Sequence, residues 1–120
     1  IYSPCALGAT INDTTINQLK CSVIAGAANN QLMDEKLHGE ILFQKGIVYA
    51  PDYLINAGGV MNCYAEIHDI SDAKVMEMAG NIYQTTTDIL TSSRNENIPT
   101  SLAANRLAEK RISEESEKLK

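Results

Sequence analysis

Basic side chains are scarce in this sequence: 10 lysines and arginines stand against 15 acidic residues, for a net charge of −5. A chain so balanced lacks the basic surface that neutralises phosphates, which excludes nucleic acid and an anionic membrane surface as expected partners. No apolar run approaches the ~20 residues that cross a bilayer, and no signal-peptide pattern is present. The three cysteines, Cys5, Cys21 and Cys63, are odd in number, widely spaced and without a CxxC pair. They read as reduced thiols of a cytoplasmic protein rather than as a disulfide frame or a zinc site. No Ser-His-Asp arrangement or carboxylate pair can be argued. His38 and His68 fall among charged residues with no ligand partner at metal-binding spacing, so both read as solvated histidines and no metal is expected.

What is present suffices for a core. Of 120 residues, 44% are hydrophobic and 21% charged, the composition of one soluble domain or part of one. The chain opens at Ile1, inside an apolar stretch and without an initiator methionine, which predicts the C-terminal portion of a longer protein. No repeat or low-complexity block occurs.

Short apolar runs alternate with helical patterns, the signature of a parallel α/β sheet. Ile1-Tyr2 reads as the end of a strand stopped by Pro4. Residues 12–20 read as a short helix, with Asn12 or Asp13 as its cap. Ser22–Ala25 reads as a buried strand ending at Gly26. Residues 32–45 read as a helix closed by Gly46, and Ile47–Ala50 as a second strand ended by Pro51. Tyr53-Leu54-Ile55 is a third short run, completing three strand-to-helix units. Gly58-Gly59 supplies a tight turn before a helix from Val60 to His68. One long helix is expected over residues 71–94, about 36 Å at ~1.5 Å per residue. Its apolar stripe comprises Val75, Met78, Ala79, Ile82, Tyr83, Ile89 and Leu90. After Pro99, Thr100 or Ser101 caps a last helix, and the charged tail from Glu114 is expected to fray.

This pattern is half of an ordinary dinucleotide-binding fold. The glycine fingerprint GxGxxG is missing, since Gly8, Gly26, Gly39 and Gly46 do not fall into it. The fold class is therefore α/β. Residues 1–70 are expected to form the second half of a Rossmann-type domain, and residues 71–120 the C-terminal helices that pack back on it.

Chemistry in an open α/β sheet belongs just past the carboxyl ends of its strands. Three loops qualify: Pro4–Gly8, Gly26–Gln31 and Asn56–Val60. Small residues let backbone approach a flat ring, and asparagine offers both a donor and an acceptor. Each loop is weak alone. Pro4-Cys5 reads as a turn with a buried thiol, Asn29-Asn30 as a turn pair, and Val60 and Cys63 as core residues.

Together they carry a resemblance. The segments Pro4-Cys5-Ala6-Leu7-Gly8-Ala9, Ile24-Ala25-Gly26-Ala27-Ala28-Asn29-Asn30-Gln31-Leu32 and Tyr49-Ala50-Pro51-Asp52-Tyr53-Leu54-Ile55-Asn56-Ala57-Gly58-Gly59-Val60 are similar to the C-terminal part of the amino acid dehydrogenases. That family includes the glutamate, leucine, phenylalanine and valine enzymes. Ala103–Ile112 is similar to the family's C-terminal helix, so the resemblance runs from Ser3 to Ile112. It implies an NAD-dependent oxidative deamination of an L-amino acid to the 2-oxo acid and ammonia. It implies Cys5 and Ala6 beside the nicotinamide ribose, with Ala27, Ala28 and Asn29 as the second wall. Asn29 would reach cofactor and substrate, and Asn56 would fix the nicotinamide end.

By the same likeness Val60 and Cys63 contact the substrate side chain. Small apolar groups there suit a branched-chain substrate, leucine for preference. Valine or phenylalanine, or a catalytically inactive relative that binds a nucleotide or amino acid, are the alternatives. The family's catalytic lysines and acidic partner lie upstream of these motifs. None of Lys20, Lys36, Lys45 or Lys74 matches them, so the segment alone is expected to be inactive. Family members are oligomers, which implies a homo-oligomer. The choice between NAD and NADP rests on residues outside this sequence.

Overall fold

A computed structural model describes residues 1–118. Its elements run β1 (Val23–Ile24), α1 (Glu35–Gln44), β2 (Val48–Tyr49), α2 (Asp52–Ile55), α3 (Gly58–Ile67), α4 (Asp72–Glu96) and α5 (Thr100–Lys118).

The two strands pair in parallel, with Val23 opposite Val48 and Ile24 opposite Tyr49. On the other edge of β1, Tyr2 forms a parallel bridge with Ile24. That bridge rests on the Tyr2 N–H donating to Val23 O at 2.9 Å and the Ala25 N–H donating to Tyr2 O at 3.1 Å. Three chain segments thus run the same way side by side, and all three leave the sheet at the same edge. The parallel order requires a crossover between β1 and β2, which α1 provides. Ile11, Ile16, Ile24, Leu32, Leu42 and Tyr49 form the buried core under this crossover.

Several expectations need correction. Residues 12–20 are a succession of turns rather than a helix. Asn12 Oδ1 does accept from the N–H groups of Thr14 and Thr15, as a cap would. The Thr15 hydroxyl, however, donates to Thr10 O at 2.6 Å and holds the segment to its own start. β-Branched residues that bond locally favour turns over helix. Helix α1 begins at Glu35, not Leu32, because Asp34 caps it by accepting from Leu37 N–H, while Leu32 bridges to Ile11. Gly46 follows α1 with φ +67°, the left-handed residue expected there.

The third strand is also absent: Tyr53–Ile55 lies in the short helix α2, begun by Pro51. The sheet therefore has two strands and a bridge, not three strand-to-helix units. Gly58 and Gly59 are the first residues of α3, and the turn lies one step earlier, at Asn56-Ala57. Helix α4 matches its expected span, and Asn97 ends it in the left-handed conformation at φ 55°. Of its apolar stripe, Tyr83 is 78% exposed. Neither Thr100 nor Ser101 caps α5: the Thr100 hydroxyl donates instead to Tyr49 O at 2.6 Å, tying α5 to the sheet. Helix α5 continues through the charged tail to Lys118, and the last two residues of that expected tail lie outside the described residues.

Helices α4 and α5 pack through Ile89, Ala103 and Ala104, with Leu54, Ile98 and Leu107 around them. Arg106 reaches Glu96 across the pair at 2.7 Å. No helix among the described residues is long and apolar enough to cross a membrane.

Candidate functional site

The common exit edge of the three parallel segments gathers most of the residues expected there. Pro4 and Gly26 are both buried, and they touch so closely that a Cβ on Gly26 would stand 2.1 Å from Pro4 O. The Ala28 N–H donates to Pro4 O at 3.0 Å. These contacts lay the Pro4–Gly8 loop along the loop that follows β1.

Cys5 lies on this seam, exposed and not buried as a lone turn would have it. The Ala27 backbone, and then the Ser3 hydroxyl 3.3 Å from Sγ, hydrogen-bond the thiol and lower its pKa from the ordinary value. Ala6 is exposed and Ala28 is buried against the seam. Cys5, Ala27 and Ala28 are thus brought together, with Ala6 on the open side.

Asn56 joins them from the other flank. Its Nδ2 donates to Asn29 Oδ1 at 2.5 Å and to Ala27 O at 3.3 Å. Two loops 27 residues apart in sequence therefore meet through one pair of amides. Among the described residues, Asn29 Nδ2 and Asn56 Oδ1 have no hydrogen-bond partner. The pair therefore keeps one amide donor group and one acceptor uncommitted.

Val60 and Cys63 stand on α3, exposed, and neither belongs to the core. Next to them, nothing lies within 4 Å of a Cβ placed on Gly58 or Gly59, so the start of α3 shows bare backbone to an open face.

Two buried residues that sequence reasoning passed over hold this edge. Gln31 has no exposed surface, and its Nε2 donates to Gly26 O at 2.7 Å and Ala28 O at 2.9 Å. Asp52, 8% exposed, accepts the Gln31 N–H at 2.8 Å and the Tyr53 N–H at 2.6 Å. The signal available was their place inside the two motifs, between Asn29 and Asn56.

His38 also needs correction. It is buried at 1% exposure, not solvated: its Nδ1 accepts the Asp34 N–H and its Nε2 donates to Asp13 Oδ1 at 3.0 Å. It is a structural tie between α1 and the turns before β1. His68 is exposed and lies against Tyr64, ring centroids 4.3 Å apart.

Beside Asn29 opens a cleft of about 260 Å³, lined by Glu35, Tyr49, Asp52, Tyr53 and Ser101 among others. The Tyr53 hydroxyl donates to Asn105 Oδ1 at 2.8 Å, and Asn105 Nδ2 donates to Glu35 Oε1 at 2.7 Å, fastening α2 and α1 to α5. Burial first, then the Glu35 and Asp52 carboxylates, push the Tyr53 phenol up to about 12. The fold thus favours the neutral donor. Its stabilisation is full below the ordinary phenol value of 10.0 and is lost as pH rises through about 12. Tyr53→Phe should delete the matching step from an ultraviolet tyrosinate titration, and an unchanged step would refute the assignment.

Parallel segments that end on one edge, with small-residue loops and a pair of amides gathered there, define an α/β protein whose candidate site lies at the carboxyl ends of its strands. The profile of the Glutamate/Leucine/Phenylalanine/Valine dehydrogenase family matches residues 1–119. The chain belongs to that family.

Leucine dehydrogenase of Bacillus cereus is 52% identical over 112 residues, 93% of this chain and 30% of that enzyme. L-tryptophan dehydrogenase of Nostoc punctiforme is 49% identical over 113 residues, 94% of this chain and 32% of that enzyme. The crystal structure of the Nostoc enzyme superposes with a TM-score of 0.90 at 46% identity, over 96% of this chain and 34% of that one. The chain thus spans about a third of the length of these relatives.

Proposed function

We propose that this chain is the part of an amino acid dehydrogenase that receives the nicotinamide end of NAD, the whole enzyme deaminating a branched-chain L-amino acid, leucine for preference. Residues 1–70 serve as the second half of a Rossmann-type domain, and residues 71–120 as the helices that brace it. The observation that carries the reading is the Asn29–Asn56 pair. Its uncommitted donor and acceptor match the acceptor and donor of a primary carboxamide, and the small residues beside it leave room for a flat ring.

When bound, NAD supplies the acceptor for the hydride removed from the amino acid. The chain's own work is positioning. Cys5 and Ala6 lie beside the nicotinamide ribose, and Ala27, Ala28 and Asn29 form the second wall. Asn56 orients the nicotinamide ring, and Asn29, exposed between cofactor and substrate, holds both to one register. Val60 and Cys63 offer the substrate side chain a small, uncharged, apolar surface. The group that moves the proton is contributed from outside this segment. Exposed apolar side chains at Val60, Ile67, Met76 and Ile112 support burial against the remainder of a longer protein or further copies of it.

An aromatic substrate is the second reading, favoured by the 49% identity to the Nostoc tryptophan enzyme. A substrate panel on the complete protein separates the two. With NAD present, leucine and valine should be oxidised at least ~10-fold more efficiently than phenylalanine, tryptophan or glutamate, since even one methylene of misfit in an apolar pocket is worth about tenfold. Faster oxidation of tryptophan or phenylalanine would establish the aromatic reading instead.

A further inference from the structure

Asn29 and Asn56 belong to separate loops, and something must set the distance between them. We infer that Asp52 is a positioning residue of the site, acting through Gln31 to hold Asn29 against Asn56. The inference rests on the proposed role of that pair.

Asp52 reaches both loops. Through its main chain, its carbonyl accepts the Asn56 N–H at 3.0 Å, closing the single turn of α2 that delivers Asn56. Through its side chain, Oδ2 accepts the Gln31 N–H at 2.8 Å, while Oδ1 accepts the Tyr53 N–H at 2.6 Å. Gln31 then passes the constraint along, because its Nε2 is bonded to both Gly26 O and Ala28 O. The loop that carries Asn29 is folded around this buried amide, and the amide's own backbone is fixed by Asp52.

The chemistry fits a carboxylate and no neutral substitute. Both backbone donors point at Asp52, one to each oxygen, and charge-assisted bonds of this kind are about twice as strong as neutral ones. An asparagine has one acceptor oxygen and would set its NH₂ against one of the two N–H groups. A buried carboxylate is also unfavourable unless its bonds are used, and the bonds it makes here join the two halves of the site.

The test is Asp52→Asn in the complete protein. Crystal structures of wild type and variant should show the Asn29 Oδ1 to Asn56 Nδ2 bond intact in the first and open in the second. Turnover should fall about ten- to a hundredfold, the loss expected of a misplacement near 1 Å. Combined with Asn56→Ala, Asp52→Asn should add little further loss, since both act through the same pair. A retained Asn29–Asn56 bond, or losses that multiply in the double variant, would overturn the inference. Where Asp52→Asn yields no folded protein, Gln31→Met carries the same test: it frees the Gly26 and Ala28 carbonyls and should open the pair. If the wild type oxidises no amino acid, the proposed reaction fails, while the two crystal structures still decide the role of Asp52.

Discussion

Asn56→Ala is expected to lower turnover with leucine by about 10²–10³-fold, the loss seen when one preorganised polar contact is removed from a reacting centre. The substitution leaves Asn29 Oδ1 and Ala27 O without their shared donor. Both acceptors stand at an exposed position, where water replaces the lost bond, so fold stability should change by no more than about 1 kcal/mol. Steady-state kinetics and thermal unfolding measured on the same preparation separate the two effects. A variant that keeps turnover within a few-fold of wild type would remove Asn56 from the site. One that loses turnover and stability together would make it a structural residue.

Gly26→Ala has the largest expected effect on stability. A Cβ at that position meets Pro4 O at 2.1 Å, Pro4 N at 2.6 Å and Pro4 C at 2.7 Å. All three are backbone atoms of a buried residue, so no side-chain rotation relieves the overlap. The Pro4 segment must leave, taking with it the Ala28 N–H to Pro4 O bond and the seat of Cys5. A loss of about 3 kcal/mol is expected, read as a lower midpoint in urea at unchanged slope. Gly80→Ala is the control: nothing lies within 4 Å of its Cβ, and a glycine inside the long helix α4 replaced by alanine should stabilise by roughly 0.5–1 kcal/mol. Equal midpoints for Gly26→Ala and wild type would contradict the close packing of the two loops.

The contrast between these glycines shows what was legible in the sequence. Gly26 marks the end of an apolar run, and a strand ending there was readable from the run itself. Val23-Ile24 and Val48-Tyr49 were readable for the same reason. The long helix Asp72–Glu96 was readable because a stripe of apolar positions recurs over many turns. The role of Gly26 against Pro4 was hidden, because it depends on contact between segments more than twenty residues apart. His38 was misread on the same account: its neighbours in sequence are charged, while its neighbours in space are Asp13 and the cap of α1.

Local competition explains the remaining differences. Thr15 spends its hydroxyl on Thr10 O and keeps residues 12–20 in turns. Pro51 starts a helix where Tyr53-Leu54-Ile55 looked like a strand, since proline is preorganised for a first turn and supplies no donor to a sheet. Thr100 has the chemistry of a cap, yet its hydroxyl finds Tyr49 O, a partner visible only in the fold. At the site, the loop residues were legible as motifs. The buried Gln31–Asp52 link between them was not, because a polar residue inside a motif gives no sign of whether it faces a ligand or its own backbone.

The direct test of the account is a crystal structure of the complete protein with NAD. The nicotinamide carboxamide should lie within hydrogen-bond distance of Asn29 Nδ2 and Asn56 Oδ1, with the ring resting on the joined Cys5–Ala6 and Ala27–Ala28 loops. A nicotinamide bound elsewhere, with both asparagine amides still turned to solvent, would contradict it.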